Sequence, residues 1–245
     1  MKWLSTSFLF ILSNSACYAD SIANKHPESD LYSAPIEVVS GVWSAIGATQ
    51  APTYENTGHN NNLSFVIGDN GVLVVNSGAS YRLAKAIHSE IRKLTHLPVR
   101  YVVNENAQGH AMLGNSYWRE QGVAIIAHND AITEIKSHGQ DSLARMKKYN
   151  KDQAIETSIV IPDIGFTERK RIQLGSTTIE LIYFGPAHSI GDISVFIPDR
   201  DIIITGDMAF HQRLLPVFSD TDTKAWIASF DKFAAMNVST IIPGH

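Results

Sequence analysis

Cysteine is almost missing from this chain: Cys17 is the only one among 245 residues. It falls in an N-terminal stretch that reads as a removable signal, so a chain cut after Ala19 carries none. Disulfides, thiol nucleophiles and thiolate metal ligands are then excluded, and the core must stabilise an exported protein unaided. Long apolar runs are lacking as well. The apolar stretch within "WLSTSFLFIL" is far shorter than the roughly 20 residues that cross a bilayer, so stable membrane insertion by a helix is not expected. Basic charge is scarce: 20 Lys and Arg stand against 24 Asp and Glu, and stretches such as Arg169-Lys170-Arg171 are short. A nucleic-acid partner is therefore not expected. There is no short-period repeat, and no linker long enough to separate domains.

What remains is a chain 44% hydrophobic and 18% charged, long enough to bury a sizeable core. Met1-Lys2, the short apolar stretch and the small residues before Asp20 predict a signal peptide over 1–19 and a periplasmic or secreted mature chain. An alternative makes Cys17 a lipoprotein attachment site. Residues 20–35, polar with Pro27 and Pro35, read as a loose leader, and 36–245 as the folded domain.

Within that domain, "IEVVSGVWSAIG" (36–47) has strand composition, and "LSFVIGDNGVLVVNSG" (63–78) reads as a hairpin around Asp-Asn-Gly. Over 80–95, Leu83, Ala84, Ile87, Ile91 and Leu94 recur at helical spacing behind Ser80, a cap residue. Strands follow at 99–104 and 123–128. Helical stretches follow at 111–122 and 130–150, the latter with Gly139 as a weak point. After a linker come strand pairs over 171–185 and 193–207, a helix over 223–236 and a last strand at 239–245. Strands then helices, twice over, predict two packed sheets with helices outside: a four-layer α/β body.

Polar residues gather where apolar strands end: Asn76-Ser77-Gly78, the turn from Glu105 to His110, Gly185-Pro186-Ala187-His188, Gly206-Asp207 and Pro243-Gly244-His245. Binding sites of α/β sheets collect at such ends. His110, His188, Asp207 and His245 are imidazole and carboxylate groups, a set that suits a divalent metal. His26, His59, His88, His96, His128, His138 and His211 read mostly as solvated, with His59 and His211 as candidates for the mouth of a site. In the turn, Asn106 and Gln108 read as backbone hydrogen-bonders. Asn115 reads as fixing the turn, Asp192 as holding the loop after His188, and Asn60 to Asn62 as covering a sheet edge.

The order "VVNSG", a His-bearing turn, "GPAHSIGD", "ITGD" and "IPGH" resembles the metallo-β-lactamase superfamily over roughly 36–245, most specifically in "FGPAHSIGDISVFIPDRDIIITGD". Within it the chain looks closest to a periplasmic branch associated with quinoprotein systems. The resemblance implies a four-layer αβ/βα sandwich, with one or two zinc ions activating water against an ester, thioester, amide or phosphoester. It also implies a degenerate site. Where the family has His-x-His-x-Asp-His, this chain has Glu105, Ala107, Gly109 and His110, and the family's upstream aspartate is Asn76. One carried-over metal site keeps Glu105, His188 and Asp207; the other keeps His110, Asp207 and His245. The metal-ligand candidates are thus His110, His188, Asp207, His245 and Glu105, and the catalytic candidates Asp207 and Glu105. One Zn2+ is expected rather than two. The expectation is an exported metal-dependent hydrolase of a small-molecule substrate. The alternatives are a binding protein that kept the fold, or a β-lactam hydrolase. Because family members continue past the last turn, the chain is also expected to be a fragment, with His245 poorly supported.

Overall fold

Twelve strands and five α-helices form across residues 26–245, the part that the computed structural model describes. The signal reading over 1–19 and Cys17 lie outside the described residues. One sheet has seven strands in sequence order: β1 (Ile36–Val39), β2 (Val42–Ala45), β3 (Leu63–Ile67), β4 (Val72–Val75), β5 (Val99–Val103), β6 (Ala124–His128) and β7 (Ile164–Phe166). The other has five, in the order β12 (Thr240–Pro243), β11 (Ile202–Gly206), β10 (Ser194–Ile197), β9 (Thr177–Ile182) and β8 (Arg169–Leu174). The helices are α1 (Tyr81–Leu94), α2 (Gly109–Met112), α3 (Asn115–Glu120), α4 (Asn129–Asn150) and α5 (Thr223–Ala234).

The layers follow from side-chain alternation. All four residues of β4 are buried, because both faces of its sheet are covered. Leu73 and Val75 point with Val66, Val103 and Ile126 toward Leu181, Val195, Ile204 and Ile242 of the second sheet. Val72 and Val74 pack on the opposite side with Leu83, Ile87 and Ile91 of α1 and Trp118 of α3. On the far face of the second sheet, Ile182 and Ile203 meet Trp226 and Phe233 of α5. Helix, sheet, sheet, helix is the expected αβ/βα sandwich.

Local chemistry sets the element boundaries. Ser80 caps α1, its hydroxyl accepting from the Leu83 amide at 3.1 Å, and Asp222 caps α5 through the Ala225 amide at 2.9 Å. The stretch 36–47 is not one strand: it turns at Ser40-Gly41, and β1 pairs back on β2. Helix α4 runs unbroken through Gly139, which is buried, and a Cβ there would meet Ile159 at 3.2 Å. Tight packing explains the glycine better than a break does. Strand β7 was not legible, since three residues in a linker give no periodicity.

Two expectations need correction. Residues 26–35 are not a loose leader: Leu31 is fully buried, Tyr32 nearly so, and Asp30 pairs with Arg82 at 2.6 Å. Nor are the spare histidines all solvated. His59 is fully buried, and His128 is buried where it caps α4 through the Asp130 amide.

Candidate metal centre

Five strands deliver their C-terminal ends to one rim of the sandwich. β4 and β5 are parallel neighbours, so Asn76 and the turn after Val103 emerge side by side. β11 and β12 are also parallel, which sets Asp207 beside Gly244-His245. β9 and β11 both run antiparallel to β10, so their ends coincide and bring His188 to the same rim. The Ile193 amide donates to the Glu105 carbonyl at 2.9 Å and ties the two sheets together there.

Ligand atoms of His110, Asp207 and His245 all lie within 4.8 Å of one another. His245 Nε2 is 3.2 Å from Asp207 Oδ1, and His110 Nε2 is 3.7 Å from Oδ2. The three form one wall of a cleft of about 750 Å3. His188 stands beside them, its Nε2 3.9 Å from Asp207 Oδ2.

Surrounding groups hold each ring. His245 Nδ1 lies 2.6 Å from the Asn60 carbonyl, an acceptor, and also faces Arg213 Nη1, a donor; together they hold the ring with Nε2 turned toward Asp207. Phe210 stacks on the His245 ring at 5.1 Å. The Arg213 guanidinium approaches the same ring at 2.9 Å and donates to Asn60 O at 3.2 Å. The last turn is pinned by Asn62, whose amide and side chain both donate to it, at 2.8 and 3.0 Å. The His211 amide donates to the His245 carbonyl at 2.8 Å. His245 is therefore well supported, contrary to the expected fraying.

Glu105 lies under the triad and is fully buried. Its Oε1 accepts from Asn76 Nδ2 at 2.8 Å and lies 3.1 Å from His110 Nε2; its Oε2 accepts the Asp207 amide at 2.7 Å. Asn76 returns the contact, its Oδ1 accepting the Glu105 amide at 3.0 Å. Oε1 thus meets the same His110 nitrogen that faces Asp207, so Glu105 packs directly against the triad. Gly206 makes room for this: a Cβ there would lie 1.4 Å from Glu105 Oε2, at a backbone φ of +57°.

Electrostatics separate the buried carboxylates. Burial, reinforced by the nearby Asp207 charge, pushes Glu105 well above the usual carboxylate range, and Asp192 likewise. Burial alone would raise Asp207 too, but His110 and His245 outweigh it and hold this group below its ordinary value. Burial lowers His110 and His188. The site thus concentrates its negative charge on Asp207. Among the described residues, neither buried Asp207 Oδ1, despite His245 Nε2 at 3.2 Å, nor buried His188 Nδ1 has a hydrogen-bond partner. A buried carboxylate oxygen without a donor is costly unless a cation meets it. Two imidazoles and one carboxylate, with ligand atoms within 4.8 Å of one another, suit a divalent ion with three protein ligands and an open position.

The sequence reading is met unevenly. His110, Asp207 and His245 come together; His188 flanks them; Glu105 spends both oxygens on the scaffold. Ala107 and Gly109 line the cleft without donor side chains. Asn106 exceeds its expected role: its Oδ1 accepts the Gln108 amide, and its Nδ2 also donates to Asp207 Oδ2 at 3.1 Å. Asn115 pairs with Asn104 at 2.8 and 3.0 Å, and Asp192 holds Ser189 at 2.7 and 2.8 Å, each fixing its loop. Asn60 and Asn62, read as edge cover, brace the last turn instead. Phe210 and Arg213 were missed, because a lone aromatic and a lone arginine in a loop carry no spacing signal.

With this geometry in hand, comparison with known proteins agrees. The family profile of the metallo-beta-lactamase superfamily matches residues 110–245, more than half of the chain, and the chain belongs to that superfamily. The match opens at His110, directly after the altered positions Glu105, Ala107 and Gly109. The metallo-beta-lactamase type 2 of Bacteroides fragilis is 23% identical over 192 residues, spanning 74% of this chain and 70% of that protein. A metallo-beta-lactamase from Pontibacter korlensis has the same fold, with a TM-score of 0.70 at 16% identity, covering 86% of this chain and 90% of the other.

Proposed function

We propose that this protein is an exported, metal-dependent hydrolase of small-molecule substrates with a single-ion site, zinc being the ion its donor set suits. The carrying observation is the gathering of His110, His245 and buried Asp207, whose Oδ1 has no hydrogen-bond partner among the described residues. His110, Asp207 and His245 would hold the ion. When bound, it supplies Lewis-acid polarisation of an acyl or phosphoryl group and makes water more acidic. The protein groups do the rest. Asn106 steadies Asp207 through Oδ2, and Glu105 holds the Asp207 backbone amide while lying against His110 Nε2. His188, kept neutral by burial and ringed by Phe210, Phe218 and Trp226, is placed to hold or return a proton at the reacting group. The second ion site lacks a donor at Ala107, and both Glu105 oxygens are engaged elsewhere, which supports one ion over two.

Hydrolysis of a β-lactam is a second reading, favoured by the names of both relatives. The missing donor at Ala107 weakens it. Elemental analysis of the zinc-reconstituted full-length protein tests the proposal: about one equivalent is expected, and Asp207→Ala should lose it while keeping the far-ultraviolet dichroism. Unchanged zinc content in that variant would make the triad structural and favour a non-catalytic binding protein. An ester panel run beside a β-lactam panel decides between the two hydrolytic readings. Export predicts a mature N-terminus at Asp20, and an intact Met1 in fractionated cells would refute it.

A further inference from the structure

The loop from Phe210 to Asp220, between β11 and α5, is unusually apolar on its outside. Leu214 is 94% exposed, Leu215 49%, Val217 55% and Phe218 53%. A cluster of exposed large apolar side chains in so short a segment marks a contact surface rather than ordinary scatter. Nor is the loop an isolated patch, because its inner side is the cleft wall. Phe210, Pro216 and Phe218 line the cleft beside His188, Asp207 and His245. Phe218 lies 5.2 Å from the His188 ring, and Phe210 is stacked on His245. Phe218 is thus both a cleft-lining and an exposed residue, and it links the candidate metal centre to the outer edge of the loop. The opposite wall differs. Helix α4 presents Glu134, His138, Asp141 and Arg145 to the same cleft, whereas the loop presents Phe210, Pro216 and Phe218 between Arg213 and Asp220.

We propose that this loop is an apolar lip that binds the aliphatic or aryl chain of the substrate. The favoured substrate class is then an ester or thioester with a medium-length hydrocarbon acyl group, its carbonyl at the triad and its chain along Phe210, Pro216 and Phe218. The inference rests on the hydrolase reading for what happens at the carbonyl, but not for the binding of the chain. Continuity of the lip with the cleft wall is what selects a substrate chain over another occupant. A second copy of the protein or a lipid surface would have to contact Leu214 and Leu215 without entering the cleft.

The test uses the full-length, zinc-loaded protein and a series of linear carboxylates, acetate, butyrate, hexanoate, octanoate and decanoate, titrated calorimetrically. Full burial of a methylene strengthens binding about fourfold, and a half-open lip about twofold. Hexanoate to decanoate should then gain roughly 15-fold or more in affinity. Phe218→Ser should flatten that dependence, and so, more weakly, should Leu215→Ser, which changes an exposed side chain and should fold normally; zinc content should stay the same in both. Equal affinity along the series would overturn the proposal, as would a chain-length dependence untouched by Phe218→Ser. Absence of chain-length dependence together with concentration-dependent self-association, or with pelleting on phospholipid vesicles, would assign the lip to those partners and equally overturn it. If chain-length-dependent binding is found but no ester of the series is hydrolysed, the hydrolase reading fails and the lip stands. If short esters are hydrolysed with no preference for longer chains, the reverse holds.

Discussion

Replacing Glu105 by Gln removes no volume and keeps one oxygen, yet it should disturb the site strongly. Three groups turn toward the carboxylate: Asn76 Nδ2 at 2.8 Å, His110 Nε2 at 3.1 Å and the Asp207 amide at 2.7 Å. A glutamine offers one carbonyl oxygen where the carboxylate offers two. Whichever way the amide is turned, its NH2 faces a donor, either Asn76 Nδ2 or the Asp207 amide. The side chain cannot swing aside, because Gly206 touches it closely enough that even a Cβ would collide. One buried donor is therefore left without its acceptor, at a cost of about 1–3 kcal/mol. For a domain of this size that lowers Tm by roughly 2–4 °C per kcal/mol. Burial already pushes Glu105 toward its neutral form, so geometry rather than lost charge dominates the effect. The displaced Asp207 backbone should weaken zinc binding by about 10–100-fold, the range for groups that hold a ligand in place. Differential scanning fluorimetry of the metal-free protein, with competition titration of zinc, reads both numbers. Wild-type Tm and wild-type affinity in Glu105→Gln would refute the positioning role. Unchanged affinity with lost turnover would make Glu105 a base instead.

The other predictions concern the scaffold. His59 is fully buried, its Nδ1 accepts the Tyr32 amide at 2.9 Å, and burial lowers it from 6.5 to about 4. A group depressed in this direction must be neutral to fold. Its effect is absent above about pH 6.5, and stability falls as pH drops toward 4, by up to about 3 kcal/mol. Urea midpoints at pH 7.5 and 4.5 should show the loss, and His59→Gln should reduce the difference; an equal difference in both proteins would refute it. Leu73→Ala should cost about 2–5 kcal/mol, because Leu73 is fully buried between the two sheets, and a loss under 1 kcal/mol in urea unfolding would contradict the layer assignment. Gly206→Ala places a methyl at the position of Glu105 Oε2 in a left-handed backbone, so it should abolish zinc binding and lower Tm more than Glu105→Gln does.

Much of this protein was legible in one dimension. Period-two and period-3.6 patterns located the β3–β4 hairpin, α1, β5 and β6, because burying an apolar face imposes those periods wherever an element packs on a core. The turn residues at the strand ends marked the rim, and the sequence motifs named His110, Asp207 and His245. Short or doubly covered pieces left little signal: β7 is three residues long, and Gly139 reads as a break only until Ile159 is seen against it. The tertiary structure alone decided the roles within the site. Whether a carboxylate faces an ion or a neighbouring amide depends on what the folded chain places within 3 Å of each oxygen, and composition and spacing do not carry that. So Glu105, a ligand candidate by its slot in the turn, is taken up by Asn76, His110 and the Asp207 backbone. Asn60, Asn62, Phe210 and Arg213, inconspicuous in sequence, converge on His245 because the loops after β2 and β11 fold back over the same strand end.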